Sequence, residues 1–157
     1  MRQIRFRAKR ADAGAWVYGD LAHTQKICNA EEKARTGNVS IGVIRISNYD
    51  VDETTIGQST GLRDENGTEI YEGDIVDWTF FFHRDYGNGA AYCDTIVRGV
   101  IEWKQGGFIL RVTNNDFEYA GSYGLSDLNT DTESDVRIVG NIFDNPELLR
   151  YEENIKN

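Results

Sequence analysis

The sequence predicts a mainly β protein, and three features carry that expectation. Apolar residues alternate with polar ones or gather in short β-branched runs; Gly, Asn and Asp clusters separate those runs; and stretches with a helical apolar stripe are few. A length of 157 residues suits one compact domain or two small lobes sharing a core. Apolar side chains make up 39% of the chain and aromatic ones 11%, which supplies that core.

Ile4, Phe6 and Ala8 alternate with Arg5, Arg7 and Lys9, the period-two pattern of a strand with one buried and one wet face. Gly14 marks a turn, and Trp16-Val17-Tyr18 pairs back as a second strand before Gly19-Asp20 breaks it. From Asn29 the run AEEKA has helix formers but few apolar positions, so a single turn or a loop competes with a helix before Gly37-Asn38 ends it. Val39, Ile41, Val43, Ile44 and Ile46 read as a buried strand closed by Asn48-Tyr49-Asp50. These elements define an N-terminal β lobe over residues 1–57.

The second lobe, residues 58–157, opens on the densest turn chemistry in the chain. Asp64-Glu65-Asn66-Gly67 ends in an Asn-Gly pair that tolerates positive φ at both central positions of a two-residue hairpin turn, joining Leu62 to a strand over 68–71. A Glu72-Gly73-Asp74 corner then leads into Ile75, Val76, Trp78 and Phe80. A loop rich in Gly, Asn and Tyr follows over 83–92, then strands over 96–103 and 108–112 joined by Gln105-Gly106-Gly107. Residues 119–135 are polar, with isolated Leu125 and Leu128, and Val136, Ile138 and Ile142 form a last strand interrupted by Gly140. Several short strands with tight turns predict a small β-barrel of the SH3-like kind. Asn145 is placed as an N-cap and Pro146 as a first helical residue, which predicts a short C-terminal helix over 147–153 docked by Leu148 and Leu149. The single proline and the lack of a Ser-rich connector place both lobes in one compact unit.

Seventeen basic residues against 26 acidic ones give a net charge of −9, which disfavours a nucleic-acid or anionic-membrane binder acting through its whole surface. No apolar run is long enough to span a bilayer and no leader is visible, so the expected location is cytoplasmic with no membrane partner. There, Cys28 and Cys93 act as small buried hydrophobes. The charge is uneven: Arg2, Arg5, Arg7, Lys9 and Arg10 meet no acid in the first ten residues. A solvent face explains them; the alternative is a nucleic-acid surface in which this strand acts with Trp103 on a small barrel.

No catalytic constellation emerges, and the chain is expected not to be an enzyme. Oxygen side chains alternate through 127–135 as in a calcium loop, but Thr132 and Ile138 stand where such a loop needs a glycine and a bidentate acid. His23, Cys28, His83 and Cys93 lack the spacing of a zinc site, and no glycine elbow frames either cysteine as a nucleophile. Gly87-Asn88-Gly89 lacks the lysine and third glycine of a phosphate cradle. No metal or cofactor is expected. Phe80-Phe81-Phe82 places one ring opposite the other two, either buried beneath the first lobe or available to a second copy of the chain.

The segments IRFRA and WVYG, then TIGQSTGLRDENGTEIYEGDIV, then DVRIVGNIFDNPELL near the end, together resemble the YopX family of phage and prophage proteins. The resemblance implies a phage or prophage origin and an SH3-type barrel for the motif-bearing half, and it offers no catalytic residues. It makes Gly57, Gln58, Thr60, Gly61, Leu62, Asp64, Gly67, Ile70, Glu72, Gly73, Asp74, Gly140, Asn141 and Pro146 architectural, with Gln58 and Glu72 the exceptions worth testing. Gln58, Thr60, Asp64, Glu72 and Asp74 are the polar motif positions and the candidate interaction residues. With the acidity and the missing catalytic framing, the family context implies a non-enzymatic accessory protein binding a phage or host protein; the basic N-terminal strand keeps nucleic acid as the alternative partner, and self-association is a further one.

Overall fold

The computed structural model describes residues 4–85, 90–113, 122–125 and 135–149. Arg2, Gly87-Asn88-Gly89, Leu128, residues 127–134 of the acidic loop and the expected helix beyond Leu149 lie outside that set, as do the side chains of Phe80, Phe81, Phe82, His83 and Cys93. The described chain is mainly β, with three antiparallel sheets and one α-helix. Two compact units divide it, Met1–Ser59 and Thr60–Asn157.

In the first unit β1 (Phe6–Lys9) pairs antiparallel with β2 (Trp16–Gly19), Phe6 facing Gly19 and Lys9 facing Trp16. On its other edge β1 meets the start of β6 (Gly57–Arg63), Phe6 opposite Gln58 and Arg7 opposite Gly57. Gly19-Asp20 breaks β2 as expected, but a further strand follows at once in a second sheet. The chain continues as β3 (Leu21–Ile27), missed because LAHTQKI has neither clean alternation nor β-branched density. β3 pairs along its whole length with β4 (Ser40–Ile46), which also meets the short β5 (Tyr49–Asp50).

Between β3 and β4 lies α1 (Ala30–Thr36), a helix with no buried residue. Its ends account for it. The Asn29 side chain accepts from the Glu32 amide at 2.9 Å and the Glu32 carboxylate accepts from the Asn29 amide at 3.0 Å, a reciprocal capping box. Gly37 closes the helix in the left-handed conformation. β4 is less buried than its β-branched sequence suggests: only Ile46 is fully covered, and Val39 just before it is 67% exposed. The core is small, with Ala8, Ile46 and Val51 at its centre and Phe6, Val17, Leu21, Ile44 and Ile56 around them.

In the second unit the remainder of β6 pairs with β7 (Glu69–Tyr71). A five-stranded sheet runs in the order β11-β10-β9-β8-β12, built from β8 (Asp74–Asp85), β9 (Ala90–Lys104), β10 (Gly107–Val112), β11 (Ser122–Gly124) and β12 (Asp135–Asn141). β8 and β9 extend into what the sequence suggested was a loop over 83–92, and β11 falls in the stretch read as polar connection. The last strand returns to pair with the first of the sheet, Val136 opposite Trp78. None of the sheets is closed among the described residues.

The second core is larger: Ile70, Val76, Trp78, Ile101, Leu110 and Val136, with Leu62, Phe108, Tyr123, Leu125 and Ile138 packed on it. Full burial of each aliphatic side chain contributes about 1.5 to 3 kcal/mol. Trp78 meets Tyr123 edge to face at 5.3 Å. Gly99 lets β10 approach, since a Cβ there would lie 2.6 Å from the Arg111 carbonyl oxygen. Among the described residues the expected C-terminal helix shows only its first turn, a 3-10 turn over Pro146–Leu149, and the Asn145 side chain does not cap it as expected. Its carboxamide oxygen turns back toward the Asn141 amide at 3.4 Å, part of a tight corner in which Asn141 Oδ1 accepts from the amides of Phe143 and Asp144.

Candidate functional site

The motif over residues 57–76 is a succession of corners, and most of its polar side chains bond to main chain. Thr60 is buried; its hydroxyl donates to the Ile70 carbonyl at 2.9 Å and accepts from the Leu62 amide at 3.1 Å. It thereby spans the strand next to Gly61, whose φ is +79°. Asp64, also buried, accepts from the amides of Asn66 at 3.0 Å and Thr68 at 2.8 Å. Burial pushes its carboxyl pKa up, but bonds from the amides of Thr68, Asn66 and Ile138 and from the Asn66 side chain outweigh that and hold it below its ordinary value.

The turn at Asp64 differs from the expected one. Asn66 does not take positive φ; only Gly67 does, at +79°. The Gly67 amide donates to the Asp64 carbonyl and the Asp64 amide to the Thr68 carbonyl, which makes a three-residue loop with a left-handed glycine. Asp64 explains the preference, because its carboxylate rewards a backbone that brings both amides inward. The two-residue turn with positive φ at both positions occurs elsewhere, at Gln105 (φ 53°) and Gly106 (φ 85°) between β9 and β10.

At the next corner Asp74 is 1% exposed and its Oδ2 accepts from the Tyr71 amide at 2.8 Å. Gly73 lies between them at φ +83°, its amide bonded to the Ile101 carbonyl and its carbonyl to the Ile142 amide. Glu72 is half-buried and its Oε1 accepts from the Trp103 amide at 3.4 Å. Gln58 is half-buried in the first unit, and no bond from its side chain to a described residue is present. The carboxylates of Asp64, Glu72 and Asp74 thus act as main-chain acceptors, and the lowered pKa of Asp64 makes it a weaker base still.

The basic strand is not a row of open cations. Arg7, expected on the wet face, is 7% exposed, with its guanidinium 4.7 Å from the centre of the Trp16 ring and the Lys9 ammonium 5.5 Å from the same ring. The hairpin register produces this by placing Lys9 opposite Trp16 and Arg7 opposite Tyr18 on one face. Arg10 binds Asp12 through two bonds of 2.8 and 2.6 Å and lies over Tyr49. That pair raises the Arg10 pKa and lowers that of Asp12. Arg5 is exposed. Trp103 belongs to the second unit, is 50% exposed and packs edge to face on Phe108 at 4.8 Å.

Two features were not anticipated. Asp77, 7% exposed, holds Arg98 through bonds of 2.7 and 2.9 Å and has Arg137 at 3.7 Å, a charged row across β9, β8 and β12. Its signal was the charged residue between Val76 and Trp78. The other is an open depression of about 430 Å³ in the first unit, lined by His23, Thr24, Gln25, Gly42, Val43, Ile44 and Glu53. Among the described residues no three His, Cys, Asp or Glu side chains gather as a metal-ligand set. Nor is any described helix long and apolar enough to cross a membrane. Cys28 is a free, half-buried thiol.

Fold and motif define a β-sheet protein with two cores whose signature residues brace turns. The chain belongs to the YopX family: the family described as YopX protein matches it over residues 5–150. Among solved structures it is similar to the crystal structure of protein EF1440 from Enterococcus faecalis, with 23% identity, 96% of this chain and 100% of that chain covered, and a TM-score of 0.47. No curated protein matches.

Proposed function

We propose that the chain is a non-enzymatic interaction module, encoded by a phage or prophage, whose partner is a phage or bacterial host protein in the cytoplasm. The observation that carries this is the use of Thr60, Asp64, Glu72 and Asp74 to brace main chain, which leaves the family motif as scaffold and puts recognition on the surfaces it supports. The net charge of −9 favours a protein partner over a polyanion. The return of β12 to pair with β8 supports an SH3-like barrel for the second lobe.

Nucleic acid is the second reading, favoured by Trp103, half-exposed beside the β9–β10 turn, where a base could stack. Anisotropy titrations with single-stranded and duplex oligonucleotides separate the two. The expected result is no saturable binding. Binding that falls steeply with salt, and is lost on Arg5→Ala with Arg7→Ala or on Trp103→Ala, would replace a protein partner with nucleic acid.

A further inference from the structure

β3 is the outer strand of its sheet, paired with β4 on one side and with no strand on the other among the described residues. The ladder fixes which of its groups face outward. The Cys28 amide donates to the Val39 carbonyl at 2.9 Å, and onward along the strands Lys26 faces Ile41, Thr24 faces Val43 and Ala22 faces Arg45. Hydrogen-bonded pairs recur at every second residue of an antiparallel ladder. Leu21, His23, Gln25 and Ile27 therefore direct their N–H and C=O groups away from β4. The Ile44 carbonyl agrees with this alternation: Ile44 lies opposite His23, and its oxygen accepts from Val51 on the far side of β4.

Folded proteins ordinarily blunt such an edge with proline, a bulge or outward charges. β3 has no proline, pairs without a register shift, and has one charge, Lys26, which is turned to Glu32 at 3.1 Å and Asp50 at 3.6 Å. Two of its residues are also left incomplete. Ile27 is 81% exposed, and the covered Thr24 hydroxyl has no hydrogen-bond partner.

We propose that β3 pairs antiparallel with β3 of a second copy, about a two-fold axis at Thr24. In that register Leu21 faces Ile27, Ala22 faces Lys26, His23 faces Gln25, and Thr24 faces its own symmetry mate. The parity is correct: each bonded pair, 21 with 27 and 23 with 25, joins two residues whose main-chain groups point outward. Ile27 is covered by Leu21 of the second copy, the His23 ring meets a carboxamide, and two threonines meet across the axis, a favourable cross-strand pair. A slip of one residue brings Leu21 opposite Lys26 and opposes outward-facing groups to inward-facing ones. Two chains of charge −9 repel, so this dimer strengthens as salt screens them, the reverse of nucleic-acid binding.

Sedimentation equilibrium of the full chain over a range of concentrations and salt tests this, and the expected result is a monomer–dimer equilibrium shifted toward dimer by salt. Gln25→Pro removes an outward N–H that the β3–β4 ladder does not use, and weakens the dimer by more than about tenfold. Ile27→Ala, at an exposed position that folding does not need, weakens it several-fold and serves if the proline variant misfolds. Thr24→Cys, in a background of Cys28→Ser and Cys93→Ser, places two thiols at a non-bonded pair within disulfide reach, so oxidised glutathione gives a covalent dimer. A chain that stays monomeric at every concentration and salt overturns the proposal. So does a dimer indifferent to both Gln25→Pro and Ile27→Ala, or cross-linking at Thr24→Cys no faster than at an exposed Val39→Cys control.

Discussion

Asp64 gathers the main-chain amides of Asn66 and Thr68 onto one buried carboxylate, so its ionisation is linked to folding. Its folded-state pKa lies below the ordinary 3.8, which means its contribution is complete above that value and is lost as pH falls through the lower, folded-state pKa. Asp64→Asn should flatten the acid limb of a stability–pH curve, and Asp64→Ala should cost about 2 kcal/mol at neutral pH, read from denaturant midpoints. An unchanged acid limb in Asp64→Asn would show that other carboxylates set the acid sensitivity. Glu72 and Gln58 make a contrasting pair. Glu72→Ala removes the acceptor of the Trp103 amide and should cost about 1 kcal/mol, whereas Gln58→Ala should stay within about 0.5 kcal/mol. If Gln58→Ala proves the more damaging of the two, the bracing role assigned to Glu72 is wrong. Sequence marked both residues as polar motif positions but not the difference, because the Glu72 contact depends on Trp103, 31 residues away.

Among the elements, turns set the register, and their glycines can be ranked. Gly67 and Gly73 both have positive φ, but a Cβ at Gly67 meets open space while one at Gly73 would lie 3.3 Å from the Phe143 ring. Gly67→Ala should cost about 1 kcal/mol from backbone strain alone, and Gly73→Ala measurably more. Equal melting temperatures for the two variants would contradict this. The strands with aromatic or β-branched density, β8, β9, β10 and β12, were legible in sequence. β3 was not, because histidine, glutamine and lysine interrupt its apolar positions and pairing with β4 overrides its weak propensity. α1 was undervalued for the opposite reason: it has no apolar stripe, and its caps at Asn29, Glu32 and Gly37 are the visible signal that the weak interior pattern obscured. The Asn66-Gly67 pair suggested a turn at the right place and of the wrong type, since dipeptide preference says nothing of the Asp64 carboxylate beneath it.

At the scale of the molecule, the mainly β class was legible from periodicity, while the basic N-terminal run misled, because alternation cannot show that Trp16 covers the charged face. The unit boundary after Ser59 falls inside β6 and not in a linker, so no connector composition marks it, and the turn-rich stretch that follows is its signal in the sequence. The two cores differ in size, and that difference predicts how fragments behave. The first unit centres on Ala8, Ile46 and Val51, whereas the second buries Ile70, Val76, Trp78, Ile101, Leu110 and Val136. A domain of roughly 60 residues buries only about 60% of its unfolded-chain surface, and here few large side chains contribute. A fragment of residues 60–157 should therefore melt cooperatively with fixed aromatic near-ultraviolet dichroism from Trp78 and Tyr123. A fragment of residues 1–59 should show neither a cooperative transition nor dichroism from Trp16. Cooperative melting of the 1–59 fragment by itself would mean that its small core, with the Arg7–Trp16–Lys9 stack, suffices to fold it.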